Sequence, residues 1–98
     1  MKMPRLSTKE ALILEQLIGK GEMYGLELVK ASNGELKRGT VYVTLNRMED
    51  KGFVESREAP PDPVTNLKTR VYRATGHGQR VFQALEMARA VLAMEEVR

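Results

Sequence analysis

Gly39-Thr40-Val41-Tyr42-Val43-Thr44-Leu45-Asn46-Arg47-Met48-Glu49-Asp50-Lys51-Gly52-Phe53-Val54 changes its hydrophobic period within a few residues. Val41, Leu45 and Met48 fall at i, i+4 and i+7, one apolar face of a helix that starts near Lys37 or Arg38 and runs to Asp50. Lys51-Gly52 closes that helix, and Phe53-Val54-Glu55-Ser56-Arg57 then reads as a strand. A second strand-like run, Lys68-Thr69-Arg70-Val71-Tyr72-Arg73-Ala74-Thr75, follows after Ala59 to Leu67. Pro60, Pro61 and Pro63 cannot sit inside a sheet, so that interval is the tip of a long hairpin. Read as a linker between domains it would leave each side too short to hold its own core.

Working back toward the start, two more helices precede this segment. Ser7-Thr8-Lys9-Glu10 has the form of a capping box, and Ile13, Leu14, Leu17 and Ile18 recur behind it at helical spacing until Gly19-Lys20-Gly21. The second helix is expected from about Tyr24 to Ser32, with Leu28 and Ala31 inward and Asn33-Gly34 as a stop. Gly25 near its start is either a frayed helix end or a point where another backbone comes close. Toward the C-terminus, a last helix is expected from Thr75 or Gly76 to about Val97. Val81, Leu85, Ala88 and Leu92 form one apolar stripe on it, and Ala84, Met87, Val91 and Met94 a second. That surface is wider than one core contact needs, so Val81, Leu85, Met87, Ala88, Val91 and Leu92 are expected to pair with a second copy; covering the chain's own domain is the alternative.

The order helix, helix, helix, strand, long loop, strand is that of a winged helix-turn-helix. The expected fold is therefore mainly α with a two-stranded β-hairpin wing, residues 1–75 forming the winged helix and 76–98 a dimerisation helix in the same compact unit. Ninety-eight residues suffice for one domain. Apolar residues at 42% and charged ones at 30% are ordinary for a globular chain, and no run is long and apolar enough for a membrane span. The opening Met1-Lys2-Met3-Pro4-Arg5 is not followed by a long apolar stretch, so no secretory leader is expected. With no cysteine, disulfide and thiolate chemistry are absent, which fits a reducing cytoplasm.

Net charge is only +3, so placement matters more than amount. Lys68, Arg70 and Arg73 lie within six residues that hold no acid, a better phosphate-binding candidate beside a helix-turn-helix than as an isolated run. Arg38, Thr40, Thr44, Asn46 and Arg47 occupy the non-core faces of the third helix and its start. Arginine can fork onto guanine and threonine can bond bases or phosphates, which makes Arg38, Thr40, Thr44 and Arg47 candidates for a groove-facing surface; Arg47 could instead pair with Glu49 or Asp50. In the wing, Lys68 and Arg70 are expected to meet phosphate before Arg73, because they are nearer the tip. Tyr72 is read as a core residue between wing and third helix. His77 has no second histidine or cysteine near it, so no metal site is expected. No dinucleotide, P-loop, zinc-protease or serine-hydrolase motif occurs, and neither an enzyme nor a cofactor is expected.

Over about residues 11 to 80 the chain resembles the PadR family of bacterial transcriptional regulators. Gly39 to Val54 is similar to that family's Gly-x-x-Tyr-x-x-Leu-x-x-Leu-Glu-x-x-Gly-x-Ile pattern. Met23-Tyr24-Gly25-Leu26-Glu27-Leu28 resembles its Gly-Tyr-Glu-Leu segment, and Tyr72 to Gly78 its Tyr-x-x-Thr-x-x-Gly segment. Leu26 stands where the family often has Tyr, Val43 where Pro is common, and Met48 where Leu is usual. The short region after Gly78 is similar to members with a single terminal helix. The resemblance implies a homodimeric repressor on a pseudo-palindromic operator in double-stranded DNA, with a small-molecule effector possible but unnamed. It also implies that the Tyr42 phenol contacts the DNA backbone, against the alternative of a core tyrosine between third helix and wing. Two other readings stay open: a winged helix that binds proteins and no DNA, favoured by a wing tip from Ala59 to Leu67 without Lys or Arg, and a MarR-like or ArsR-like regulator.

Overall fold

The computed structural model describes residues 5–61, 66 and 69–96. Its elements run α1 (Thr8–Lys20), β1 (Met23–Tyr24), α2 (Gly25–Ala31), α3 (Val41–Asp50), β2 (Val54–Ala59), β3 (Thr69–Ala74) and α4 (Gly76–Glu96). The mainly α fold with a hairpin wing is present, and the sheet carries one strand more than expected. The sheet order is β1-β3-β2, antiparallel throughout, with Met23 opposite Tyr72 and Val54 opposite Ala74. Two residues are too few to display a period, so β1 becomes visible only through its partner strand.

α1 begins with the capping box. The Ser7 hydroxyl accepts from the Glu10 amide at 3.1 Å, and the Glu10 carboxylate accepts from the Ser7 amide at 2.9 Å. At the other end Gly21, with φ of +90°, turns the chain while its N–H donates to the Leu17 carbonyl. Ile13, Leu14 and Leu17 of α1 meet Leu28, Leu36, Val41, Leu45 and Met48, and the sheet closes this core with Phe53, Val54 and Tyr72. α1, α2 and α3 thus turn their apolar residues inward, and the wing is tied to the core through the root of its hairpin.

α3 starts at Val41, a turn later than Lys37 or Arg38. Thr40 N–H and Val41 N–H both donate to the Lys37 carbonyl, so residues 37–40 form a tight turn leading into the helix. α4 is anchored at its N-terminus, where the Thr75 hydroxyl accepts from the Gly78 amide and donates to the Gly52 carbonyl. At Gly78 the helix backbone lies so close to the Phe53 carbonyl that a Cβ would collide with it. Val81 is buried in the protomer's own core, which corrects its expected place on a surface open to a second chain. Beyond it the helix emerges: Leu85 and Ala88 are half-buried, while Met87 and Leu92 are 69% and 58% exposed.

Candidate nucleic-acid interface

The packing of α3 decides which of its residues can meet a partner. Val41, Leu45 and Met48 point into the core. Opposite them lie Val43, Asn46, Arg47 and Asp50, at i, i+3, i+4 and i+7, all exposed. Tyr42 and Glu49 occupy the flank beside the wing, and Thr44 the other flank. The sequence singled out Arg47 from the outward line and passed over Val43. The signal was available, because the position farthest from Val41, Leu45 and Met48 follows from the period alone.

Arg38 and Thr40 are exposed in the turn before α3. Thr44 is half-buried, and its hydroxyl donates to the Thr40 carbonyl at 3.3 Å, which leaves an acceptor rather than a free donor for any partner. Arg47 forms no ion pair with Glu49 or Asp50 among the described residues. Instead Glu49 accepts from the Ser56 hydroxyl at 2.8 Å, tying α3 to β2.

Tyr42 is 43% exposed and stands between α2 and the wing, not inside the core. Its ring lies over Gly25, where a Cβ would come within 2.6 Å of the ring carbon Cε1. The close neighbour of Gly25 is therefore this side chain, and not another backbone as the sequence suggested. Tyr42 lines a cleft of about 400 Å³ together with Tyr24, Leu26, Lys30, Pro60, Pro61 and Arg70. Behind it Tyr72 is buried. Burial pushes its phenol above the ordinary 10.0, Tyr42 and Glu49 add to the rise, and Arg70 opposes it, so Tyr72 stays a neutral core group.

The wing separates its cations by face, because side chains alternate along a strand. Arg70 shares a face with Tyr72, toward α3, and its guanidinium donates twice to the Ser56 hydroxyl at 3.1 and 3.2 Å. Arg57 pairs with Glu22 and Arg73 with Glu55, directly opposite it in the register. The sequence preferred Arg70 over Arg73 for its nearness to the tip; in the structure the distinction is that Arg73 is already neutralised. Lys68 lies outside the described residues. Among the described residues no cluster of three or more His, Cys, Asp or Glu could hold a metal ion. Nor is any helix long and apolar enough to cross a membrane.

Residues 13–84 match the model of the transcriptional regulator PadR-like family. The chain belongs to that family. The match spans nearly the whole of the resemblance read from the sequence, answers the MarR-like or ArsR-like alternative, and identifies a family of regulators rather than enzymes. A PadR family regulator from Clostridium difficile shares the fold, with 24% identity, a TM-score of 0.76, and 90% of this chain and 93% of that one covered. A PadR family regulator from Eggerthella lenta is 28% identical, with a TM-score of 0.71 and coverage of 87% and 74%. PadR of Bacillus subtilis, solved in complex with operator DNA, is 25% identical with a TM-score of 0.66; 76% of this chain and 45% of that one are covered. No curated protein gives a significant match. Of the three departures from the PadR pattern, Met48 is buried as a Leu would be, Leu26 lines the Tyr42 cleft, and Val43 faces outward.

Proposed function

We propose that this PadR-family chain is a sequence-specific DNA-binding regulator that acts as a homodimeric repressor on a pseudo-palindromic operator. The observation that carries the reading is the uncovered outward line of α3, with exposed Arg47 on it, exposed Arg38 in the turn before it, and Tyr42 and Arg70 beside it. The operator-bound Bacillus subtilis relative supports the same use of the fold. In this reading α3 enters a major groove and Arg47, in its last turn, reaches a base edge. Tyr42, Arg70 and Lys68 meet phosphates, Arg38 and Thr40 meet the backbone from the turn before α3, and Thr44 contributes from the edge of the face. Residues 1–75 act as the DNA-binding part and residues 76–98 as the dimerisation helix of one compact unit in the cytoplasm. Leu85, Met87, Ala88, Val91 and Leu92 bury against a second copy. An effector would act by binding one spacing of the two heads better than the other.

Selection from a pool of random-sequence duplexes tests this reading. Two related half-sites should be recovered, their centres about 34–36 Å apart or a multiple of that. Enrichment of no sequence would favour the protein-interaction reading instead.

A further inference from the structure

Val43 is 52% exposed in the first turn of α3, directly opposite the core face. It joins neither the hydrophobic core nor any of the described clefts. Around it the outward line is polar, with Asn46 and Arg47 one turn further on. Half of this isopropyl group is open to solvent on a polar surface, outside the hydrophobic core of the described residues. Resting on the proposal that α3 enters the major groove, we infer that Val43 is a specificity-determining residue that packs on the 5-methyl group of a thymine. One observation and two general rules of groove recognition converge on this partner. N-terminal residues of a recognition helix are the ones that reach base edges, Val43 sits in that turn, and the thymine methyl is the apolar group that base pairs offer in the major groove. A cytosine at the same place would turn its N4 donor toward a side chain that cannot accept, leaving a desolvated polar group unpaired.

Deoxyuridine tests the inference, because it removes that methyl and leaves base pairing and the O4 acceptor intact. The probe is the duplex that the wild-type protein selects, with each thymine replaced singly by deoxyuridine. At one thymine in each half-site the wild-type protein should lose about fourfold in affinity, the value of one buried methyl. Val43→Ala should bind the thymine duplex at least as weakly as wild type binds the deoxyuridine duplex, and it should be indifferent to the replacement. Its salt dependence should be unchanged, since no phosphate contact is lost. Val43→Thr, which keeps a methyl at the branch, should retain part of the sensitivity. The inference is overturned if every deoxyuridine replacement leaves wild-type affinity unchanged, or if Val43→Ala remains as sensitive as wild type. If wild type selects no sequence, the DNA-binding reading fails first and takes this inference with it, a result visible before any thymine is replaced.

Discussion

Tyr42 can stand at the edge of the wing because Gly25 has no side chain. With a Cβ only 2.6 Å from the ring, Gly25→Ala must push the phenol away from its place over α2. Alanine is also the better helix former by about 1 kcal/mol, which offsets part of the strain in the folded protein. Thermal stability of Gly25→Ala should therefore change little, while DNA affinity falls by about ten- to a hundredfold, the worth of one hydrogen bond to a charged phosphate. The double variant separates positioning from folding. In a Tyr42→Ala background, Gly25→Ala should have no further effect on affinity, and an undiminished loss there would contradict the positioning role. Gly25 was conspicuous in the sequence, but what approached it was not, because Tyr42 is 17 residues away and is brought there only by the packing of α3 on α2.

α1, the end of α3 and the start of α4 meet through a row of side chains at the root of the wing. Glu10 accepts from Lys51 at 2.9 Å, the Lys51 ammonium lies 5.8 Å from the Phe53 ring centroid, and that ring lies 5.5 Å from His77. Burial pushes the Glu10 carboxyl up, but the Ser7 amide, Lys51 and the Ser7 hydroxyl together outweigh it and hold it below the ordinary 4.5. A carboxyl whose folded value is depressed binds its proton more readily in the unfolded chain. Its contribution is thus complete above about pH 4.5 and is lost as pH falls through the lower folded value. Glu10→Gln should flatten the acid side of a stability-versus-pH curve and cost about 1–3 kcal/mol at neutral pH; an unchanged acid limb would contradict the assignment. The capping box and the α3 face were legible because each is written in local spacing, while most of the proline-rich tip, residues 62–65 and 67, lies outside the described residues. β1 was not, since Met23–Tyr24 owes its strand character to Tyr72 and Val71. The start of α3 was misjudged because the Lys37–Thr40 turn makes helix-like hydrogen bonds before the helix begins.

The whole molecule divides its apolar surface unequally. The winged-helix half buries most of its large hydrophobes and leaves Ile18, Tyr24, Leu26, Tyr42 and Val43 exposed, whereas α4 beyond Leu85 exposes Met87, Val91, Leu92 and Met94 together. The width of that stripe was legible; that Val81 belongs to the protomer core was not, because a continuous apolar period does not say where one neighbour ends. If the stripe pairs two copies, Leu92→Asp should give a monomer by sedimentation with the fold intact, and a wild-type monomer at micromolar concentration would contradict the dimer. Weakened operator binding should accompany that change, since two half-sites would no longer be held by one particle. The separation of wing cations into a paired face and an α3-facing one likewise depends on strand register, which a run of alternating charges does not reveal. The most direct test of the account is the salt dependence of binding to the selected duplex. Affinity should fall steeply and log-linearly with salt, and Arg70→Ala should reduce the slope by about one. Binding that is undetectable at low salt, or flat from low to moderate salt, would contradict it.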